Sequence, residues 1–323
     1  MKKNLTTMFV ALMCVGLGLT LNSKAVFAED IAIDSAHFPD DEFRRYLSEN
    51  IDSDGDGILS SDEINGTTEI NLFEKDAAGN KYAVKDITGL QYFTEITTLN
   101  CYMCGLDEVD VTSNTNLKFI NLAENNLTYI DVSNCTNVLN ISLDYNNLSS
   151  IDVSNNTSLI SLDLRQNNIK EIDLTNNLQL GDLDISFNSF TELDLSRNFK
   201  LNTLNIEGNR ISYLDLSVNV NVKFLNASNN GMLGIDLGKG PIQSLKLYGN
   251  NIRSVDLSSF TALKGIVEEA PFVGSKELWP SKHKTNFWEM DEYYSAELIN
   301  LDTSTKIIIN GVQVVLPERT GSR

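Results

Sequence analysis

A repeat of 21 residues governs the middle of this chain. Counting from Ile96, apolar residues recur at offsets 0, 3, 5, 10, 13 and 15, giving Ile96, Leu99, Cys101, Leu106, Val109 and Val111 in the first unit. Further units begin at Leu117, Val138, Leu159, Leu180, Leu201, Val222 and Ile242; the seventh is one residue short, at residues 238–241. All 48 such positions are apolar in a chain that is 41% hydrophobic, so the pattern is architectural. Offsets 3 and 5 alternate with polar neighbours, the mark of a half-buried strand. Twenty-one residues leave no room for a strand plus a long helix. Each unit is therefore expected to be a short strand, a turn and an extended return. Such a coil cannot bury its apolar face alone, but stacked coils share one interior. Eight strands at about 4.8 Å predict a parallel sheet roughly 40 Å wide.

Two polar columns run through the same units. Offset 8 reads Cys104, then Asn125, Asn146, Asn167, Asn188, Asn209, Asn230 and Asn250. An inward amide there has donors and an acceptor for turn backbone groups that water cannot reach. Offset 14 reads Asp110, Asp131, Asp152, Asp173, Asp194, Asp215, Asp236 and Asp256. Carboxylates one coil apart repel by about 0.8 kcal/mol per pair at the dielectric of water. Backbone N–H groups just beyond each Asp, in an Asx-turn, are expected to offset this; cation binding along the ladder is the alternative. Each unit resembles the leucine-rich-repeat signature L-x-x-L-x-L-x-x-N-x-L. Tails such as Leu193-Asp194-Leu195-Ser196-Arg197-Asn198 are similar to the short repeats of internalin-J-like surface proteins of Gram-positive bacteria. The resemblance covers about residues 85–263 and implies a right-handed solenoid with its parallel sheet on the concave face. Cys101 and Cys104 form a lone C-x-x-C, but no second pair follows, so they and Cys135 read as core residues.

Ahead of the repeats, residues 52–63 read DSDGDGILSSDE. Asp52, Asp54 and Asp56 stand at positions 1, 3 and 5 of an EF-hand-type loop, with Gly57 at the sharp turn. Ile58 offers its carbonyl at 7, Ser60 reaches through water at 9, and Glu63 closes at 12. Four carboxylates at close range call for one structural calcium ion. A helix is expected before the loop, capped by Asp40, with Phe43, Leu47 and Ile51 on one face, and Asn65-Gly66 should end a short exit helix. One loop without a partner loop fits a staple better than a sensor. Residues 29–95 thus form a helical amino-terminal cap with an incomplete first coil at residues 87–93, and residues 96–262 the eight repeats. Residues 263–323 form a β-rich cap with a hairpin around Asn310-Gly311 and both tryptophans, Trp279 and Trp288.

Residues 1–28 carry Lys2 and Lys3, an apolar run from Met8 to Leu21, and a small-residue cleavage site at Val26-Phe27-Ala28, which reads as a secretory signal. A secreted or cell-surface protein, Gram-positive by the resemblance, follows, with no membrane-spanning segment in the mature chain. The run Leu316-Pro317-Glu318-Arg319-Thr320-Gly321 has one residue too many for a sortase signal, so that route of anchoring is not expected.

Acids outnumber bases 44 to 25, giving a net charge of −19, the wrong sign for a nucleic-acid binder. Two histidines, His37 and His283, leave little for imidazole chemistry, and an enzyme is not expected. Function is instead expected on the outward strand face. Tyr102, Phe119, Asp144, Tyr145, Asp163, Arg165, Asp182, Asp184, Phe187, Glu207, Phe224 and Tyr248 compose it, an acidic centre flanked by aromatics. The resemblance supports recognition there of a protein or glycan on a host or bacterial surface, by a monomer. A structural surface-layer protein without ligand is the rival. A carbohydrate-active enzyme using neighbouring Asp163 and Asp184 is the remote one.

Overall fold

The computed structural model describes residues 30–73, 79 and 82–260, together with three strands beyond them. All eight repeat units supply one three-residue strand each at offsets 2 to 4, the five central ones being Phe119–Asn121 (β5), Asn140–Ser142 (β6), Ser161–Asp163 (β7), Asp182–Asp184 (β8) and Thr203–Asn205 (β9). Thr98–Asn100 (β4) precedes them, and Phe224–Asn226 (β11) and Ser244–Lys246 (β13) follow. All pair in parallel with identical register, Leu162 against Leu183 against Leu204. The central residue of each strand points into the core. Of the 48 repeat positions, all but Val109, Ile172, Leu193 and Ile235 are buried, and those four, all at offset 13, pack against the core from its edge. The chain is a right-handed parallel-sheet solenoid with the sheet on its concave face.

The sheet is longer than the repeat pattern. Glu69–Asn71 (β3) pairs ahead of β4, so the first coil starts at Ile70 and Leu72 rather than at residues 87–93. Leu298–Asn300 (β15) adds a tenth strand beside β13. On the back, Tyr213–Asp215 (β10) pairs with Gly234–Asp236 (β12), and Ser254–Asp256 (β14) pairs with Lys306–Ile309 (β16). Val312–Val314 (β17) pairs antiparallel to β16 with Ile309 opposite Val312, the two-residue register expected of the hairpin. The leader, His283 and both tryptophans lie outside the described residues.

Both polar columns do structural work. Each offset-8 asparagine bridges two coils: Asn167 Nδ2 donates to the carbonyls of Leu143, Leu164 and Arg165, and its Oδ1 accepts from Leu148 N–H at 2.9 Å. A further column, unnoticed in the sequence, stands at offset 18. Asn114, Asn156, Asn177, Asn198 and Asn219 each donate through Nδ2 to two carbonyls of the preceding coil. Cys135 occupies the same column, and its Sγ reaches the equivalent two carbonyls, of Val111 and Asn114, at 3.8 Å. The position therefore needs a donor and tolerates a weak one. Burial pushes the Cys135 thiol up to about 11. Cys101 is buried as expected, whereas Cys104, in the unit that begins at Ile96, is half-buried; none of these three cysteines forms a disulfide.

The Asp column resolves as Asx-turns. In all eight coils Oδ1 accepts from the backbone N–H two residues on, at 2.8–2.9 Å. In Asp110, Asp131, Asp152, Asp173, Asp215 and Asp256 the Ser or Thr hydroxyl, then its N–H, holds the carboxyl below its ordinary value of 3.8, and in Asp194 the N–H acts first. These bonds outweigh repulsion from the next coil. A depressed folded pKa means stability that is present above 3.8 and lost as pH falls through the lower folded values. The melting temperature should therefore drop steeply below about pH 4 in a thermal scan series, and a flat profile down to pH 2.5 would contradict the turn assignment.

Candidate functional site

Beyond each strand the backbone enters the left-handed region at offset 7. Met103, Glu124, Tyr145, Gln166, Phe187 and Asn229 have φ between 53° and 58°, and Gly208 and Gly249 continue the column. The conformation carries the ladder past the strand, since Tyr145 N–H donates to Arg165 O at 2.8 Å and Phe187 N–H to Glu207 O at 2.6 Å. A side chain at such a φ costs on the order of 1–2 kcal/mol, which glycine avoids. At Gly208 a Cβ would lie 2.7 Å from the Phe187 ring, so here glycine also makes room for its neighbour. Gly208, Asn229 and Gly249 at one offset were the sequence signal for this column.

The strain places rings at the rim. The Arg165 guanidinium lies 5.2 Å from the centre of the Tyr145 ring and 5.7 Å from that of Phe187, within cation–π range of both. At the amino-terminal end Tyr102 stands edge-on to Phe73 at 5.3 Å and donates to Glu124 Oε1 at 2.9 Å. Its phenol is pushed up, by burial first and then by that carboxylate.

The acids between the rings are held rather than free. Asp163 Oδ1 accepts from Arg165 N–H at 3.0 Å, and Asp184 accepts from Ser186 N–H, Ser186 Oγ and Asn205 Nδ2. Burial, then the charges of Asp144 and Asp184, pushes the Asp163 carboxyl well up; burial also raises Asp184 against its hydrogen bonds. Asp144 lies covered by its neighbours within the concave face, its Oδ1 accepting from Ser142 Oγ at 2.8 Å. Phe119, Asp182 and Phe224 are half-buried at the strand starts, Glu207 is tied to Asn226 and Asn229, and Tyr248 is exposed. Structure thus brings Asp144, Tyr145, Asp163, Arg165, Asp184 and Phe187 into one patch, with Tyr102 and Tyr248 at its ends.

The amino-terminal loop brings three of its expected donors together. Helix α1 (Asp41–Asn50) starts at Asp40, whose Oδ1 accepts from Phe43 N–H, and buries Phe43 and Leu47. Ile58–Leu59 (β2) pairs antiparallel with Ile31–Ala32 (β1). Helix α2 (Ser61–Gly66) has a capping box: Ser60 Oγ accepts from Glu63 N–H while Glu63 accepts from Ser60 N–H. Glu63 is held down to about 2, by Ser60 N–H and then Ser53 N–H. Oxygens of Asp52, Asp54 and Glu63 lie within 4.8 Å of one another, and Gly57 takes φ 81° at the sharp turn. An all-oxygen set of this kind suits a hard divalent cation. Asp56 is not among the convergent three; its Oδ1 accepts from Ile58 N–H at 2.8 Å, and Ser60 serves as the helix cap. Among the described residues no helix is long and apolar enough to cross a membrane.

No protein-family model and no curated protein matches this chain. Solved structures do. The functional domain of InlJ from Listeria monocytogenes, which includes a cysteine ladder, is 26% identical, with a TM-score of 0.52 over 73% of this chain and 60% of that one. This chain therefore spans about three-fifths of the InlJ domain. Internalin C2 from the same organism is 19% identical, with a TM-score of 0.57 over 73% of this chain and 95% of that one. Coil geometry, ladder register and these likenesses together give the chain a leucine-rich-repeat solenoid fold similar to that of the internalins.

Proposed function

We propose that this is an exported surface protein whose concave face holds a protein partner, with a calcium ion stapling its amino-terminal cap. The observation that carries the reading is the clasp of Arg165 between Tyr145 and Phe187. Two rings are kept at the rim in a backbone conformation that glycine adopts more cheaply, beside a guanidinium and half-buried acids. Arg and aromatic anchors in a packed setting are the composition of binding hot spots. Asp163 and Asp184 sit side by side on an open sheet, which offers no enclosure for chemistry. Export rests on the leader at residues 1–28, and residues 29–95, 96–262 and 263–323 serve as cap, repeats and second cap.

The test is retention of partners from host and bacterial surface-protein extracts, with a glycan array run beside it. Arg165→Ala with Phe187→Ala should weaken the captured partner about thirty-fold or more. Retention equal to that of the unaltered chain would move recognition off this face, and array hits without protein capture would make the partner a sugar. For the loop, the donors Asp52, Asp54 and Glu63 hold the ion, and extracellular affinities of this class lie at about 10⁻⁴–10⁻³ M. At about 10 mM calcium that is a ten- to hundred-fold excess, or about 1.4–2.7 kcal/mol of stabilisation. Chelator should lower the melting temperature by several degrees and leave the sheet signal in circular dichroism intact. Identical melting in calcium and in chelator would refute the site.

A further inference from the structure

The edge where each coil turns back into its strand has a charge pattern of its own. Seven connecting segments form it, residues 112–118, 133–139, 154–160, 175–181, 196–202, 217–223 and 238–243. None contains Asp or Glu, in a chain with 44 of them. Cations concentrate at the far end: the last three contain Arg197, Lys200, Lys223 and Lys239, against Lys118 alone in the first four. Apolar exposure rises one segment earlier. At offset 19 the first three segments present Thr115, Thr136 and Thr157, and the next three present Leu178, Phe199 and Val220, which are 41%, 50% and 52% exposed. Ile160 and Val218 lie exposed beside them. The rungs are in direct contact, for Asn221 Nδ2 donates to Phe199 O at 2.8 Å and Lys200 reaches Gln179 on the rung before. Three large side chains about 4.8 Å apart therefore make one ridge rather than scattered exposure.

We infer that this ridge is a second docking surface, separate from the concave face, and that its occupant is an acidic polypeptide segment bearing apolar side chains. The ridge supplies the apolar contact and the four cations around it supply charge complementarity. A second copy of this chain is a poor occupant, because a two-fold contact would set the same cations against each other. An extended anionic surface such as a bilayer would also meet the Asp column two residues upstream and the acids of the sheet. A short segment lying along the ridge meets chiefly the cationic rungs, since charges beyond about 8 Å are screened.

Three series of labelled twelve-residue peptides test this on the full chain by fluorescence anisotropy. All carry Phe and Leu at the same positions, with Glu, Ser or Lys between them. The Glu series should bind at least ten-fold more tightly than the Ser series, and more weakly as salt rises. Phe199→Ser, and separately Lys200→Ser with Lys223→Ser, should each weaken it ten-fold or more, with melting unchanged because these side chains lie at the surface. Arg165→Ala on the concave face should leave it unaltered. Equal binding of the Glu and Ser series, binding of neither, or binding insensitive to Phe199→Ser would overturn the inference. Concentration-dependent dimerisation abolished by Phe199→Ser would assign the ridge to a second copy instead. Binding to anionic vesicles without binding to the Glu peptides would assign it to a lipid surface.

Discussion

Asn167→Ala should destabilise the solenoid by about 2–4 kcal/mol, more than loss of an exposed polar residue. The side chain is buried and serves four backbone groups of two coils, donating to Leu143 O, Leu164 O and Arg165 O and accepting from Leu148 N–H. Leu143 O, Leu164 O and Arg165 O each keep a second donor, in Asn146 Nδ2, Asn188 Nδ2 and Tyr145 N–H, so Leu148 N–H alone is left bare, at about 1–3 kcal/mol, and the three lost bonds add the rest. Stability in a stacked array is a sum over neighbouring coils. The loss therefore falls at one interface, and unfolding should divide into two steps on either side of coil 159–179. Asp173→Ala, in the same coil but exposed, removes one Asx-turn and should cost far less, without dividing the transition. Denaturant titration of the two variants separates these outcomes, and equal small effects would show that the ladder is dispensable.

Leu183→Ala should cost about 2–5 kcal/mol. Leu183 is the central residue of β8, is buried, and stacks in register between Leu162 and Leu204. The coils above and below are fixed by their own hydrogen bonds, so the space vacated cannot close. Ile160→Ala is the control: a large aliphatic residue on the exposed edge, whose truncation should change stability by less than about 0.5 kcal/mol. If both variants lost the same amount, the inward and outward assignment of the repeat would be wrong.

The interior was legible in the sequence because one rule acts eight times. Each coil meets the same neighbours, so burial at Leu99 repeats at Ile120 and Ile141, and periodicity exposes it. The Asx-turns and the offset-8 asparagines followed for the same reason. The loop at residues 52–63 was legible through local chemistry, a glycine at the turn and acids at alternate positions. Features that depend on a single coil were not. β3 escaped because 29 residues rather than 21 separate Ile70 from Leu99. Asp144 read as outward by parity, but its hydrogen bond to Ser142, a hydroxyl particular to this coil, was not legible. The left-handed column was masked by Met103, Tyr145 and Phe187, residue types that do not announce a positive φ. Arg165 read as one member of an acidic face, whereas its place between two rings makes it the centre of the patch.

Hydrogen exchange resolved to single amides tests the stacked-coil account most directly. The amides of Leu122, Leu143, Leu164, Ile185 and Ile206 each donate to the next coil's backbone, at Ser142, Asp163, Asp184, Asn205 and Asn226. They should form the slowest-exchanging set, recurring every 21 residues along the chain. Protection confined to one half, or falling without that period, would mean the coils are not piled in this register, and neither the concave patch nor the edge ridge would then exist as a surface.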